Sequence, residues 1–93
     1  MEDNETLIST WKDEKTNGIH IDVRAYLERG GEPYSFIMDR VTEGGDFSSI
    51  TIHAPFVPKP LEVQMNRMGF VTRTFRADVD HYCVEVKRPP IKS

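Results

Sequence analysis

The chain carries a single cysteine, Cys83, among its 93 residues. One thiol excludes an internal disulfide and any zinc site built from several cysteines. No apolar run approaches the ~20 residues that cross a bilayer as a helix. The opening "MEDNETLISTWKDEK" is acidic where a secretory signal is basic, and it has no apolar core segment, so the expectation is a cytoplasmic protein without membrane association. Basic charge is short as well: 12 Lys and Arg against 15 Asp and Glu give a formal charge of −3. The basic residues are scattered, with only Lys87 and Arg88 adjacent. Neutralising nucleic-acid phosphates needs a clustered excess of Lys and Arg, which argues against a nucleic-acid partner. Gly30-Gly31 and Gly44-Gly45 match no phosphate-binding fingerprint, and no Ser-His-Asp arrangement can be drawn.

What is present describes an ordinary soluble globule, 38% apolar and 29% charged, of one domain with a modest core. Residues 1–17 are polar and predict a flexible N-terminal arm, with Leu7, Ile8 and Trp11 at helical spacing. The alternative is that Trp11 docks on the domain or on a second subunit. The domain itself is expected over residues 18–90, with 91–93 as a tail. From Ile19 the pattern alternates: "IHIDV" puts Ile19, Ile21 and Val23 on one face and His20 and Asp22 on the other, the period of a half-buried strand.

Gly30-Gly31 marks a loop, and Pro33 suits the first turn of a helix, where its missing N–H has no partner to lose. Tyr34, Ile37, Met38 and Val41 follow on one helical stripe, with Gly44-Gly45 as the stop. "FSSITIH" reads as a second strand, Ile50 and Ile52 inward, Thr51 and His53 outward. After three prolines, Pro60 opens a second helix with Leu61, Met65 and Met68 buried and Gly69 as its end. "FVTRTFRA" and "HYCVEV" form a hairpin through Asp78-Val79-Asp80, with Tyr82, Val84 and Val86 inward, and Pro89-Pro90 closes the last strand. The order β-α-β-α-β-β, with two helices for four strands, predicts an α+β two-layer sandwich with both helices on one sheet face.

Three segments, "IDVRAY" (Ile21 to Tyr26), "EPYSFIMDRV" (Glu32 to Val41) and "HAPFVPKPLEVQMNRMGF" (His53 to Phe70), carry a resemblance. In order and spacing they resemble the SirA/TusA-like family of bacterial sulfur-carrier proteins, and more closely its cysteine-less, functionally uncharacterised branch. The resemblance implies a four-stranded mixed sheet of order 1-2-4-3, like that of the C-terminal domain of a bacterial translation initiation factor. It also implies sulfur transfer at a Cys-Pro-x-Pro segment, which falls on Glu32-Pro33-Tyr34-Ser35 here. The cysteine and the second proline are both missing, and Ala25 stands where a glycine is usual. A thiolate at a helix N-terminus is activated by the dipole; a carboxylate fits that niche but carries no persulfide. Glu32 is read as a helix cap.

Two groupings follow. The N-termini of both helices, near Glu32-Pro33 and Lys59-Pro60, should converge at one rim with Arg24, Arg29, His53 and the Asp78–Asp80 turn, where helix dipoles favour a small anion or a partner's carboxylate. Phe56 and Val57 form an apolar bulge there, either folding back on the helices or contacting a partner. With the strand order taken from the resemblance, His53, His81 and Cys83 should meet on the uncovered sheet face as three N/S donors, with His20 remote at the other end. Cys83 alone reads as an inert strand cysteine.

The leading expectation is a non-enzymatic protein-interaction or regulatory domain, a monomer or weak dimer without cofactor. It would dock a partner through Arg24, Glu32, Pro33, His53, Phe56 and Lys59, in bacterial sulfur or redox metabolism as the resemblance suggests. A sulfur-relay or thiol-redox component using Cys83 is the second reading. A small-anion or metal-binding module, the metal held by His53, His81 and Cys83, ranks behind both.

Overall fold

A computed structural model describes residues 7–43 and 48–88. The protein is an α+β domain built on a mixed sheet of five strands: β1 (Ser9–Asp13), β2 (Gly18–Asp22), β3 (Ser49–Ala54), β4 (Val71–Asp78) and β5 (His81–Lys87). The helices are α1 (Arg24–Glu28), α2 (Tyr34–Glu43) and α3 (Lys59–Arg67). Spatial order is β1-β2-β3-β5-β4. β2, β3, β5 and β4 follow the expected order, and β1 adds a fifth strand beyond β2. Only the β2–β3 pair is parallel among these strands. The expected stops at Gly44-Gly45 and Pro89-Pro90, the first residue of "FSSITIH" and the 91–93 tail lie outside the described residues.

The fifth strand corrects the expectation of a flexible arm for residues 9–13, while residues 1–6 of that arm lie outside the described residues. Ser9–Asp13 pairs antiparallel with β2, with Trp11 opposite His20. The link is a tight hairpin: Asn17 takes φ 60°, its N–H donates to the Asp13 carbonyl at 2.8 Å, and the Lys15 N–H donates to Asp13 Oδ1 at 3.0 Å. Asn followed by Gly suits the positive φ that such a hairpin needs. Nor do Leu7, Ile8 and Trp11 share a helical stripe. Ile8 is buried in the core, while Trp11 lies on the other sheet face against His20. No apolar alternation marks this strand, because its residues are almost all exposed and backbone hydrogen bonds hold it.

Alternation elsewhere places the core. Ile21 and Val23 from the β2 segment, Ile50, Ile52 and Ala54 from β3, and Val84 and Val86 from β5 form one face. Ile37 and Val41 of α2 and Leu61 and Met65 of α3 cover it, so these helices share one side of the sheet. Two residues expected on the helical stripes are instead exposed, Tyr34 in the first turn of α2 and Met68 at the end of α3. Both sit at helix ends, where the chain swings clear of the sheet. The Thr74 hydroxyl donates to Glu62, tying β4 to α3.

Local chemistry sets the helix limits. Glu32 Oε1 accepts from the Tyr34 N–H at 2.9 Å, and the Pro33 carbonyl accepts the first helical bond from Ile37 at 3.0 Å, so α2 begins one residue later than expected. Gly69 takes φ 93° and donates to the Asn66 carbonyl at 3.0 Å, the left-handed stop that glycine accepts without penalty. The short α1 was not foreseen. It starts where Asp22 folds its carboxylate onto the Arg24 N–H at 3.0 Å. Gly31 is fixed by a close approach instead: a Cβ there would stand 2.6 Å from the Tyr26 ring. No helix among the described residues is long and apolar enough to cross a membrane.

Candidate metal centre

Strand register assembles the face turned away from the helices. Ser9, Asp22, His53, Cys83 and Phe75 lie side by side across the five strands. Two residues along, Trp11, His20, Thr51, Glu85 and Arg73 form the next row. His81 precedes Cys83 by two and so faces the same way. The sheet face expected to be open is therefore covered at its centre. Thr51 and His53 are 8% and 9% exposed and Cys83 4%; Trp11, 44% exposed, leans in from the edge strand over His20 and His53. Its indole stacks on His20 with ring centroids 5.0 Å apart and planes 6° from parallel, and lies 5.3 Å from the His53 ring.

Three imidazoles form a continuous chain under this cover. His20 Nδ1 is 2.9 Å from His53 Nε2, and His53 Nδ1 is 2.8 Å from His81 Nε2. His20 is thus not remote, as the sequence had suggested. Parallel pairing sets it opposite Thr51, one diagonal step from His53. Burial, reinforced by the neighbouring His20, lowers the His53 pKa to about 4. The ring between two others is neutral at ordinary pH, donating at one nitrogen and accepting at the other.

Cys83 completes the cluster. Its Sγ is 3.4 Å from His53 Nδ1 and 3.8 Å from His81 Nε2. Burial pushes the thiol pKa up, although Arg24 pulls the other way. With sides of 2.8, 3.4 and 3.8 Å, a circle through the three donor atoms has a radius of about 2 Å, within reach of metal–imidazole and metal–thiolate bonds of about 2.0–2.3 Å. The carboxylate nearest in register, Asp22, is clasped by the Arg24 guanidinium at 2.8 and 3.0 Å. Burial alone would raise its pKa, but the Arg24 hydrogen bonds and charge bring it below the ordinary value.

The rim expected at the helix N-termini divides into separate places. Glu32, Pro33, Phe56 and Pro60 line an apolar cavity of about 160 Å³ together with Ile52 and Ala54. His53, between those two β3 residues, points to the opposite face and does not belong to the rim. Arg24 sits with Asp22, Glu28 and Asp80 in another hollow. Lys59 extends into solvent, its Nζ 3.7 Å from Glu62 Oε1. Glu32 caps α2, as its sequence position implied.

The sequence therefore brought His53, His81 and Cys83 together but missed His20 and Trp11. The missed signal was the Asn17-Gly18 dipeptide, which marks a hairpin and would have set Trp11 beside His20. Comparison with known proteins gives no match to any family model, to any curated protein or to any solved structure.

Proposed function

We propose that this domain binds one transition-metal ion at His53 Nδ1, His81 Nε2 and Cys83 Sγ, as a small binding module of a reducing, cytoplasmic compartment where a lone thiol stays reduced. The carrying observation is the donor triangle of about 2 Å radius, assembled from two strands on a half-covered sheet face. Proton accounting favours it. The ion takes the place of the proton shared by His53 and His81, and that imidazole proton moves to a far nitrogen. His53 then carries its N–H at Nε2 and donates it to His20 Nδ1, 2.9 Å away. Metal-bound imidazoles ordinarily hold an outer acceptor in this way, fixing tautomer and ring orientation. Only the thiol proton leaves the protein.

The test is metal analysis of the reduced chain after desalting, with circular dichroism as the check on folding. One ion per chain is expected, lost in Cys83→Ser and His53→Gln variants that keep the native spectrum. Full retention in both variants, or no uptake by the parent, sinks the reading. The rival sulfur-relay use of Cys83 gains no support from a cysteine residue that is 4% exposed and whose thiol is raised in pKa, since sulfur transfer needs a reachable thiolate.

A second reading, a protein-interaction or regulatory role in keeping with the SirA/TusA resemblance, is favoured by one observation. Phe56, 52% exposed, and Tyr34 stand at the mouth of the apolar cavity between the starts of α2 and α3. Exposed aromatics around an apolar recess are a common docking feature. A purified partner that binds the parent and fails to bind Phe56→Ser would support it; equal binding to both would remove the rim from consideration.

A further inference from the structure

We infer that the ion is monovalent copper, held by three ligands with no fourth. This rests on the metal reading above and adds the identity and coordination number of the ion. The first argument is the supply of donors. Structural zinc is almost always four-coordinate, yet among the described residues the other donors of this face hold partners of their own. His20 offers its Nδ1 to His53 Nε2, the nitrogen pointing away from the triangle. Asp22 is clasped by Arg24. Glu85, opposite Thr51 in the neighbouring row, has Oε1 3.6 Å from Lys87 Nζ. Zinc would have to complete its shell with water, whereas three-coordination is ordinary for monovalent copper.

The second argument is charge. A thiolate and two neutral imidazoles carry one negative charge, which a monovalent ion cancels. A divalent ion leaves a net positive charge among residues 4% and 9% exposed, Cys83 and His53. The nearby carboxylate is already neutralised by Arg24, and an uncompensated charge is costly to bury. The third is ligand softness: a thiolate with imidazoles selects Cu(I) among the monovalent ions, by polarisability rather than size. Uptake is balanced as Cys83–SH plus Cu⁺ giving Cys83–S–Cu plus H⁺, with no change of oxidation state.

The experiment is an anaerobic titration of the full-length reduced chain against a chromophoric Cu(I) chelator, a parallel titration with Zn(II), and X-ray absorption on each loaded form. The expected result is one Cu(I) per chain, three-coordinate with one sulfur and two nitrogens. A drop in affinity of at least about 100-fold is expected in His81→Gln, along with zinc that desalting removes. Copper bound in two-coordinate form and unaffected by His81→Gln would overturn the inference, because binding of that kind needs the thiolate and no His81. Zinc retained at one equivalent with Cys83, His53 and His81 as ligands would overturn it too, while leaving the metal reading intact. Uptake of neither ion would remove both together.

Discussion

The indole of Trp11 lies flat on the imidazole of His20, their planes 6° from parallel. Stacking of this kind makes the edge strand a cover for His20 and His53, and it places the one tryptophan of the protein against His53, a proposed ligand of the ion. Loading with Cu(I) should therefore lower Trp11 emission in step with metal occupancy, and a Cys83→Ser variant should show no such response. An emission unchanged at full occupancy would show that the ion sits elsewhere.

His20 is a positioning residue in this scheme, acting on His53 and touching no ion. His20→Ala should weaken Cu(I) binding by about 10–100-fold, the usual cost of losing an outer partner, while absorption spectra still report one sulfur and two nitrogens. His20→Gln, which keeps an acceptor, should recover part of the loss. A purely packing role for His20 would instead lower thermal stability in both variants and leave the affinity unchanged.

His53 makes folding pH-dependent in a defined window. Its pKa is about 4 in the folded chain against ~6.5 in an unfolded one. Between these values the unfolded state binds a proton that the folded state refuses, so stability rises with pH across that range. It is complete above ~6.5 and lost as pH falls towards 4. The other groups facing His53 are His20, His81, Asp22, Arg24 and Cys83, and of these Asp22 acts in a lower window because its pKa is depressed. Urea denaturation at pH 7, 5.5 and 4.5 should show a steady loss of midpoint that flattens in His53→Gln. Parallel curves for the two proteins would contradict the assignment.

Helix ends offer a check on the frame. Gly69→Ala places a side chain at φ 93° with nothing within 4 Å, so its cost of about 1 kcal/mol should come from backbone strain alone. Ile52→Ala removes a side chain that is 1% exposed and should cost about 2–5 kcal/mol. Thermal unfolding of the two variants should rank them in that order; the reverse ranking would place the core elsewhere.

The layered frame was legible because it is written in apolar periodicity. Ile19 to Val23, Ile50 with Ile52, and Tyr82 to Val86 alternate, and Leu61 with Met65 repeat at helical spacing. β1 was not legible that way: Ser9 to Asp13 owe their strand to pairing with β2, and pairing leaves no apolar trace. The donor set was half legible for the same reason. His53 and Cys83 could be placed opposite each other from strand phase and the borrowed strand order, whereas His20 needed the parallel register. The rim failed on phase, because β3 alternation puts Ile52 and Ala54 at the cavity and turns His53 away.

The strand pairing also fixes when the donors can meet. His81 and Cys83 are near neighbours on one hairpin, but His53 reaches them only when β3 pairs with β5 across the intervening α3 and β4. Its supporting His20 joins only after the crossover through α1 and α2 has closed. A zinc knuckle draws its ligands from one short loop and is shaped by its ion. Here the cluster is a product of completed long-range assembly, so capture of an ion would report a finished chain rather than direct its folding.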